Sequence, residues 1–135
     1  GEAALRKLLA LYETDKESFS GYFEMLLQTV EDEFSDIDAQ KTNYLMMMAG
    51  TFGELGHYGE AARIYKKVLS LYKEGKIQEE AGFEEEVTIY AASYLLMNNQ
   101  LDEGEQMLNR LRQLNPQSEQ LPMLANILNQ KRKNS

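Results

Sequence analysis

The sequence predicts an all-α fold of about seven helices, and three observations carry that reading. Apolar residues recur at helical spacing throughout, and no segment alternates apolar with polar residues as a half-buried strand does. The first 115 residues hold no proline, the two prolines being Pro116 and Pro122, so nothing there interrupts a long helix. Cap residues and glycines punctuate the chain at helix-length intervals. With 135 residues, 43% hydrophobic and 27% charged, the chain fits one domain able to bury a core.

Each element follows from its own residues. "EAALRKLLALYE" sets Leu5, Leu8, Leu9 and Tyr12 on one stripe. "DKESFSGYFEMLLQTVEDEF" repeats the pattern with Phe19, Tyr22, Phe23, Leu26, Leu27 and Val30. An acidic junction follows (Glu31, Asp32, Glu33, Asp36, Asp38), and Ser35 or Asp36 is placed to cap the next helix. Helix three is expected over about 37–55, with Leu45, Met48, Ala49 and Phe52 facing the core. Helix four is expected over about 59–74, with Gly75 in the C-cap region. After the acidic "IQEEAGFEEE", helix five runs to about Asn98 and "NNQ" turns the chain. Helix six is expected over about 102–114, ending before "NPQ". Helix seven begins at Ser118 and carries Pro122 in its first turns, where proline is tolerated.

The net charge of −8 argues against a nucleic-acid partner, which calls for the opposite sign, and against an anionic membrane surface. The late "QKRKN" suits a helix C-terminus. There is no cysteine, which removes disulfides, thiol catalysis and cysteine–zinc sites. No apolar run approaches the ~20 residues of a membrane span, and no signal peptide is legible. The compartment is not legible either, with the cytoplasm favoured.

Candidate chemistry is thin. Gly50, Gly53, Gly56 and Gly59 fall every third residue in "AGTFGELGHYGEAARIY". No strand precedes them and no Gly-Lys-Ser/Thr follows, so a phosphate-binding loop is not supported. Gly56 reads as a left-handed helix end. Gly50 and Gly53 lie inside helix three, where each costs ~1 kcal/mol relative to alanine, which points to a close approach by a backbone or ligand. His57 is the one histidine and reads as a solvated turn residue. A calcium loop starting at Asp36 fails, because its glycine falls at Lys41 and its closing glutamate at Met47. The expectation is not an enzyme, with no cofactor and no metal.

Two stretches repeat. "YLMMMAGTFGELGHYGEAARIYKKVLSL" and "VTIYAASYLLMNNQLDEGEQMLNRLRQLNP" align at an offset of 43 residues, with Gly56 on Asn99 and Ala61 on Gly104. Ala49 then meets Ala92, Phe52 meets Leu95, Tyr58 meets Leu101, Glu60 meets Glu103, Tyr65 meets Leu108, Val68 meets Leu111 and Leu71 meets Leu114. Small residues meet small ones and large apolar residues meet large ones. This pattern resembles the tetratricopeptide repeat. "LGHYGEAARIY" carries that family's turn glycine, aromatic, alanine and second aromatic at Gly56, Tyr58, Ala61 and Tyr65, and Pro116 stands where the family closes a unit. The family's early tryptophan is absent; Leu45 and Thr88 hold its place. The period exceeds the family's ~34, placing extra residues in the 75–84 region as a longer helix pair or an extended loop.

The resemblance implies an antiparallel helix-pair array, an α-α superhelix in a single domain. Its parts would be an N-terminal helix pair over 1–36, a first repeat over 37–74, a second over 84–116 and a capping helix over 118–132. It also implies a concave groove. The family's groove positions fall on Asn43, Met46, Met47, Gly50 and Glu54 in the first unit, and on Glu86, Ile89, Tyr90, Ser93 and Met97 in the second. Such a groove is apolar in its middle and acidic at its rim, and Met, Gly, Ile and Ser stand where members that clamp a C-terminal carboxylate need lysine, arginine and asparagine. The expected partner is a protein: an apolar peptide or amphipathic helix with basic flanks. The competing reading has helices one, two or seven folded over the groove, burying these residues as core. Two further alternatives are a structural or self-associating piece of a larger repeat protein, a homodimer included, and a helical accessory to a catalytic domain.

Overall fold

The computed structural model describes residues 2–33 and 39–134, without the side chains of residues 2, 4, 29–33 and 40. Among the described residues there are seven helices and no strand: α1 (Glu2–Thr14), α2 (Lys16–Glu33), α3 (Ala39–Glu54), α4 (Tyr58–Lys73), α5 (Phe83–Met97), α6 (Leu101–Leu114) and α7 (Gln120–Lys133). The fold is all-α, as the periodicity and the absence of proline predict. The side chains of Val30, Glu31, Asp32 and Glu33, the cap candidates Ser35 and Asp36, the helix start at 37 and Asp38 lie outside the described residues.

The helix ends follow from backbone hydrogen-bonding rules. Gly56 takes φ +87°; its N–H donates to the Gly53 carbonyl at 3.1 Å, and the His57 N–H donates to the Phe52 carbonyl at 2.9 Å. That pair of bonds is the Schellman ending, which satisfies carbonyls the helix leaves open. Asn99, the counterpart of Gly56, takes φ +60° and repeats both bonds: Asn99 N–H to Leu96 at 3.0 Å and Gln100 N–H to Leu95 at 2.9 Å. The next helices then start from matching backbones, His57 at φ −88°, ψ 67° and Gln100 at φ −88°, ψ 70°. At the start of α2, Asp15 alone separates two helices, and its carboxylate accepts from the Ser18 N–H (3.2 Å) and hydroxyl (2.7 Å). Those bonds hold the Asp15 carboxyl below the usual carboxylate range. Helix α7 begins two residues later than its serine suggests, although the Ser118 hydroxyl still accepts from the Gln120 N–H at 3.3 Å.

The core has two parts, with α5 between them. The larger cluster joins Leu5, Leu8, Phe19, Phe23 and Leu27 to Leu45, Met48, Ala49, Phe52, Ile64 and Val68, and reaches Val87 and Ala91 on one side of α5. The smaller joins Ala92 and Leu96, on the other side of α5, to Leu108, Leu111, Leu121, Leu124 and Leu128. Two adjacent alanines, Ala91 and Ala92, therefore serve two interfaces. Their small side chains let neighbouring elements approach from both sides. Phe52 links the N-terminal helices to the rest, lying edge-on to Phe19 (6.1 Å) and Phe23 (6.2 Å).

One sequence expectation changes, and one left open is decided. His57 is not a solvated turn residue. Its side chain is only 14% exposed, and its ring lies 3.7 Å from that of Tyr12 and 5.9 Å from that of Phe52. The end of α1 docks on the α3–α4 turn, and this packing outweighs the polarity of the ring. The 75–84 region is an extended loop rather than more helix. Gly75 (φ +78°) ends α4, Ile77 is buried in the larger cluster, and Gly82 (φ +93°) admits α5.

Candidate functional site

Helix α5 is apolar almost all round, so only one stripe of it can face outward. Val87, Thr88, Ala91, Ala92, Leu95 and Leu96 are buried. The complementary stripe, Glu86, Ile89, Tyr90, Ser93, Tyr94 and Met97, lines a depression of about 490 Å³ together with Gly53 of α3, Tyr58 of α4 and Gln120 of α7. That volume lies within the range of sites that hold ligands. Tyr90 remains 37% exposed and Met97 40% exposed.

Four tyrosines build one wall as a ladder of stacked rings in the order Tyr58, Tyr94, Tyr65, Tyr90. Their centroid separations are 6.0, 5.9 and 5.2 Å, with interplanar angles of 21°, 4° and 28°. Residues 58 and 65 come from α4, and 90 and 94 from α5, so the rungs interleave two helices. Gly53 makes room for this: a Cβ there would collide with the Tyr94 phenol. The close approach expected at Gly53 therefore exists, made by a side chain rather than a backbone or ligand. At Gly50 a Cβ would meet the Tyr65 hydroxyl at an ordinary 3.8 Å.

Tyr65, an internal rung between Tyr94 and Tyr90, is almost fully buried, and its pKa is pushed up to about 12. Burial is the largest cause, followed by Tyr94, Tyr90 and the charges of Glu86 and Glu54. The Tyr90 hydroxyl donates to Glu86 Oε1 at 3.2 Å. Burial and the Glu86 carboxylate raise the pKa of Tyr90 also.

The ten expected groove residues divide by unit. All five of the second unit, Glu86, Ile89, Tyr90, Ser93 and Met97, line the one depression. The five of the first unit do not. Met46 is half-buried against the larger core. Asn43 and Glu54 are exposed, Met47 is 46% exposed, and Gly50 is half-buried near Tyr65. Sequence reasoning missed Tyr94 and Gln120 and used Tyr58 and Tyr65 only as repeat markers. The available signal was the spacing of Tyr90 with Tyr94 (i, i+4) and Tyr58 with Tyr65 (i, i+7), which puts each pair on one helix face.

Among the described residues, no group of three His, Cys, Asp or Glu is placed to hold a metal ion, and no helix is long and apolar enough to cross a membrane. What the depression offers is shape, aromatic surface and hydrogen-bond acceptors. No protein-family model, curated protein or solved structure matches the chain.

Proposed function

We propose that this chain is a protein-interaction module of tetratricopeptide type, whose groove along α5 docks an apolar or amphipathic segment of a partner protein. The observation that carries the reading is the α5 stripe. A helix buried on every other side leaves Tyr90 and Met97 open to solvent in a depression of about 490 Å³. Exposed aromatic and methionine surface in a concave setting favours protein recognition.

The repeat reading is supported by the ends of the two helix pairs. Gly56 and Asn99, 43 residues apart, share the left-handed conformation and the same two closing hydrogen bonds. Residues matched by the alignment are matched in burial too: Ala49 with Ala92, Phe52 with Leu95 and Val68 with Leu111 are all fully buried. The groove's residues come from the alternate helices α3, α5 and α7, with Tyr58 of α4 added. That is the arrangement expected where the first helix of each pair faces inward.

The test is selection of 12-residue peptides from a random display library on the folded protein, followed by NMR mapping of the bound site. Selected peptides should perturb the amides of Gly53, Tyr90, Tyr94 and Met97, and Tyr90→Ala and Met97→Glu should each weaken them at least tenfold while the far-ultraviolet circular dichroism is unchanged. Peptides that map elsewhere, or binding that survives both substitutions, would overturn the reading. A mass that rises with concentration and falls with Met47→Glu would replace it with self-association.

A further inference from the structure

The groove has a charge vacancy. Glu86 accepts a hydrogen bond from the Tyr90 hydroxyl and, among the described residues, has no cation beside it. A neighbour two residues earlier on the same helix end is different: Glu84 is held by Arg110 at 2.8 and 3.1 Å. Three other acidic side chains are matched in the same way, Glu103 by Lys66, Glu24 by Arg63 and Glu105 by Arg132. Glu54, the exposed last residue of α3, lies outside the depression's lining. Glu86 is thus the one carboxylate lining the depression, with no lysine, arginine or histidine among the lining residues.

Tyr90 is the outer rung. One ring face is covered by Tyr65 at 5.2 Å, and the residue is 37% exposed. An open aromatic face beside an unpaired carboxylate attracts a cation twice, through the ring quadrupole and through charge. A guanidinium suits this better than an ammonium, because it is planar, stacks on an aromatic ring, presents a fork of donors to a carboxylate and is less strongly hydrated.

Resting on the docking function proposed above, we propose that the groove selects its partner by an arginine, laid on the open face of Tyr90 with its guanidinium against Glu86. The partner segment is then an apolar stretch carrying one arginine, with its apolar side chains on Ile89 and Met97.

The experiment uses the peptides selected on the full chain, each remade with arginine replaced by citrulline, its uncharged isostere, and by lysine. An arginine at one fixed position of the peptides is expected. Citrulline should weaken binding about tenfold and lysine by a smaller factor, and Glu86→Gln should shrink the arginine–citrulline gap to less than threefold. Peptides that bind at the groove without arginine, or with a citrulline penalty below twofold, overturn the arginine assignment and leave the docking function standing. Lysine binding as tightly as arginine overturns the guanidinium preference. Peptides that fail to perturb Tyr90 and Met97 overturn both. Should Glu86→Gln disturb folding, raising the salt from 50 to 500 mM on the wild type gives the same discrimination, since only the arginine peptide's extra affinity should fall.

Discussion

The helix pairs α3–α4 and α5–α6 turn in the same way and present different surfaces. Their turns share a left-handed residue, the same two hydrogen bonds and the same entry into the second helix. Their corresponding faces do not match. Met46, Met47 and Gly50 in the first pair stand where the second has Ile89, Tyr90 and Ser93, and only the second set lines the depression. Inside the pairs, size is traded across the contact. Gly53 and Ala61 in the first correspond to Leu96 and Gly104 in the second, and Leu96 fills the space that Gly104 leaves. The turn is set by backbone rules that glycine and asparagine both satisfy. The faces are set by packing, which tolerates any combination that fills the volume.

The largest expected effect separates the two pairs at their matched core positions. Phe52→Ala should cost roughly 3–5 kcal/mol and Leu95→Ala roughly 2–5 kcal/mol in chemical denaturation. Only Phe52→Ala should raise hydrogen exchange in α1 and α2, because Phe52 alone of the two packs against Phe19 and Phe23. Equal exchange in both variants would break the comparison at its core.

The tyrosine ladder joins the pairs, and alkaline pH tests it. An unfolded tyrosine releases its proton near 10.0, whereas Tyr65 in the fold holds it to about 12. The folded state binds the proton more tightly, so this stability is fully present below pH 10 and is lost as pH rises through the folded value. Denaturant titrations should show a loss of about 2 kcal/mol between pH 10 and 12, and Tyr65→Phe should remove a large part of that dependence. A Tyr65→Phe curve that overlays the wild type would place the origin of any loss in other groups.

Gly104→Ala makes the second pair resemble the first, where Ala61 stands, yet it should destabilise. The new Cβ would come within 2.9 Å of Leu96 Cγ, and Leu96 is fully buried. The overpacking should exceed the gain in helix propensity by about 1 kcal/mol, measured as a shift of the denaturation midpoint. Leu96→Ala in the same chain should reverse the sign of the effect of Gly104→Ala.

The smallest effect concerns Thr88, the counterpart of Leu45. Its hydroxyl is buried and has no hydrogen-bond partner among the described residues. Thr88→Val keeps the branched shape and removes the orphan oxygen, so it should raise stability by about 1 kcal/mol. A loss instead would mean that a water molecule serves that oxygen.

Much of this architecture was legible in residue order. Periodic apolar positions gave all seven helices, and the core set Leu45, Met48, Ala49 and Phe52 is fully buried as expected. Of the ten expected groove positions, the second unit's five line one depression, and the first unit's five are not among its lining residues. Met46 shows why. Its position on α3 puts it near an outward face, but whether it meets solvent depends on what packs beside α3, and the larger core covers part of it. His57 shows the same from the other direction: nothing local says that Tyr12, 45 residues earlier, will cover it.

The sequence by itself determined the helices, their turns and the inward stripes, because those depend on hydrogen bonds and side-chain spacing within a few residues. The tertiary structure alone decided the tyrosine ladder and the groove. Interleaving Tyr58 and Tyr65 with Tyr94 and Tyr90 requires α4 beside α5 at one register, and the depression requires Gly53 and Gln120 to arrive from α3 and α7. Relations between helices are fixed by how whole surfaces fill space, and no short stretch of sequence carries that information.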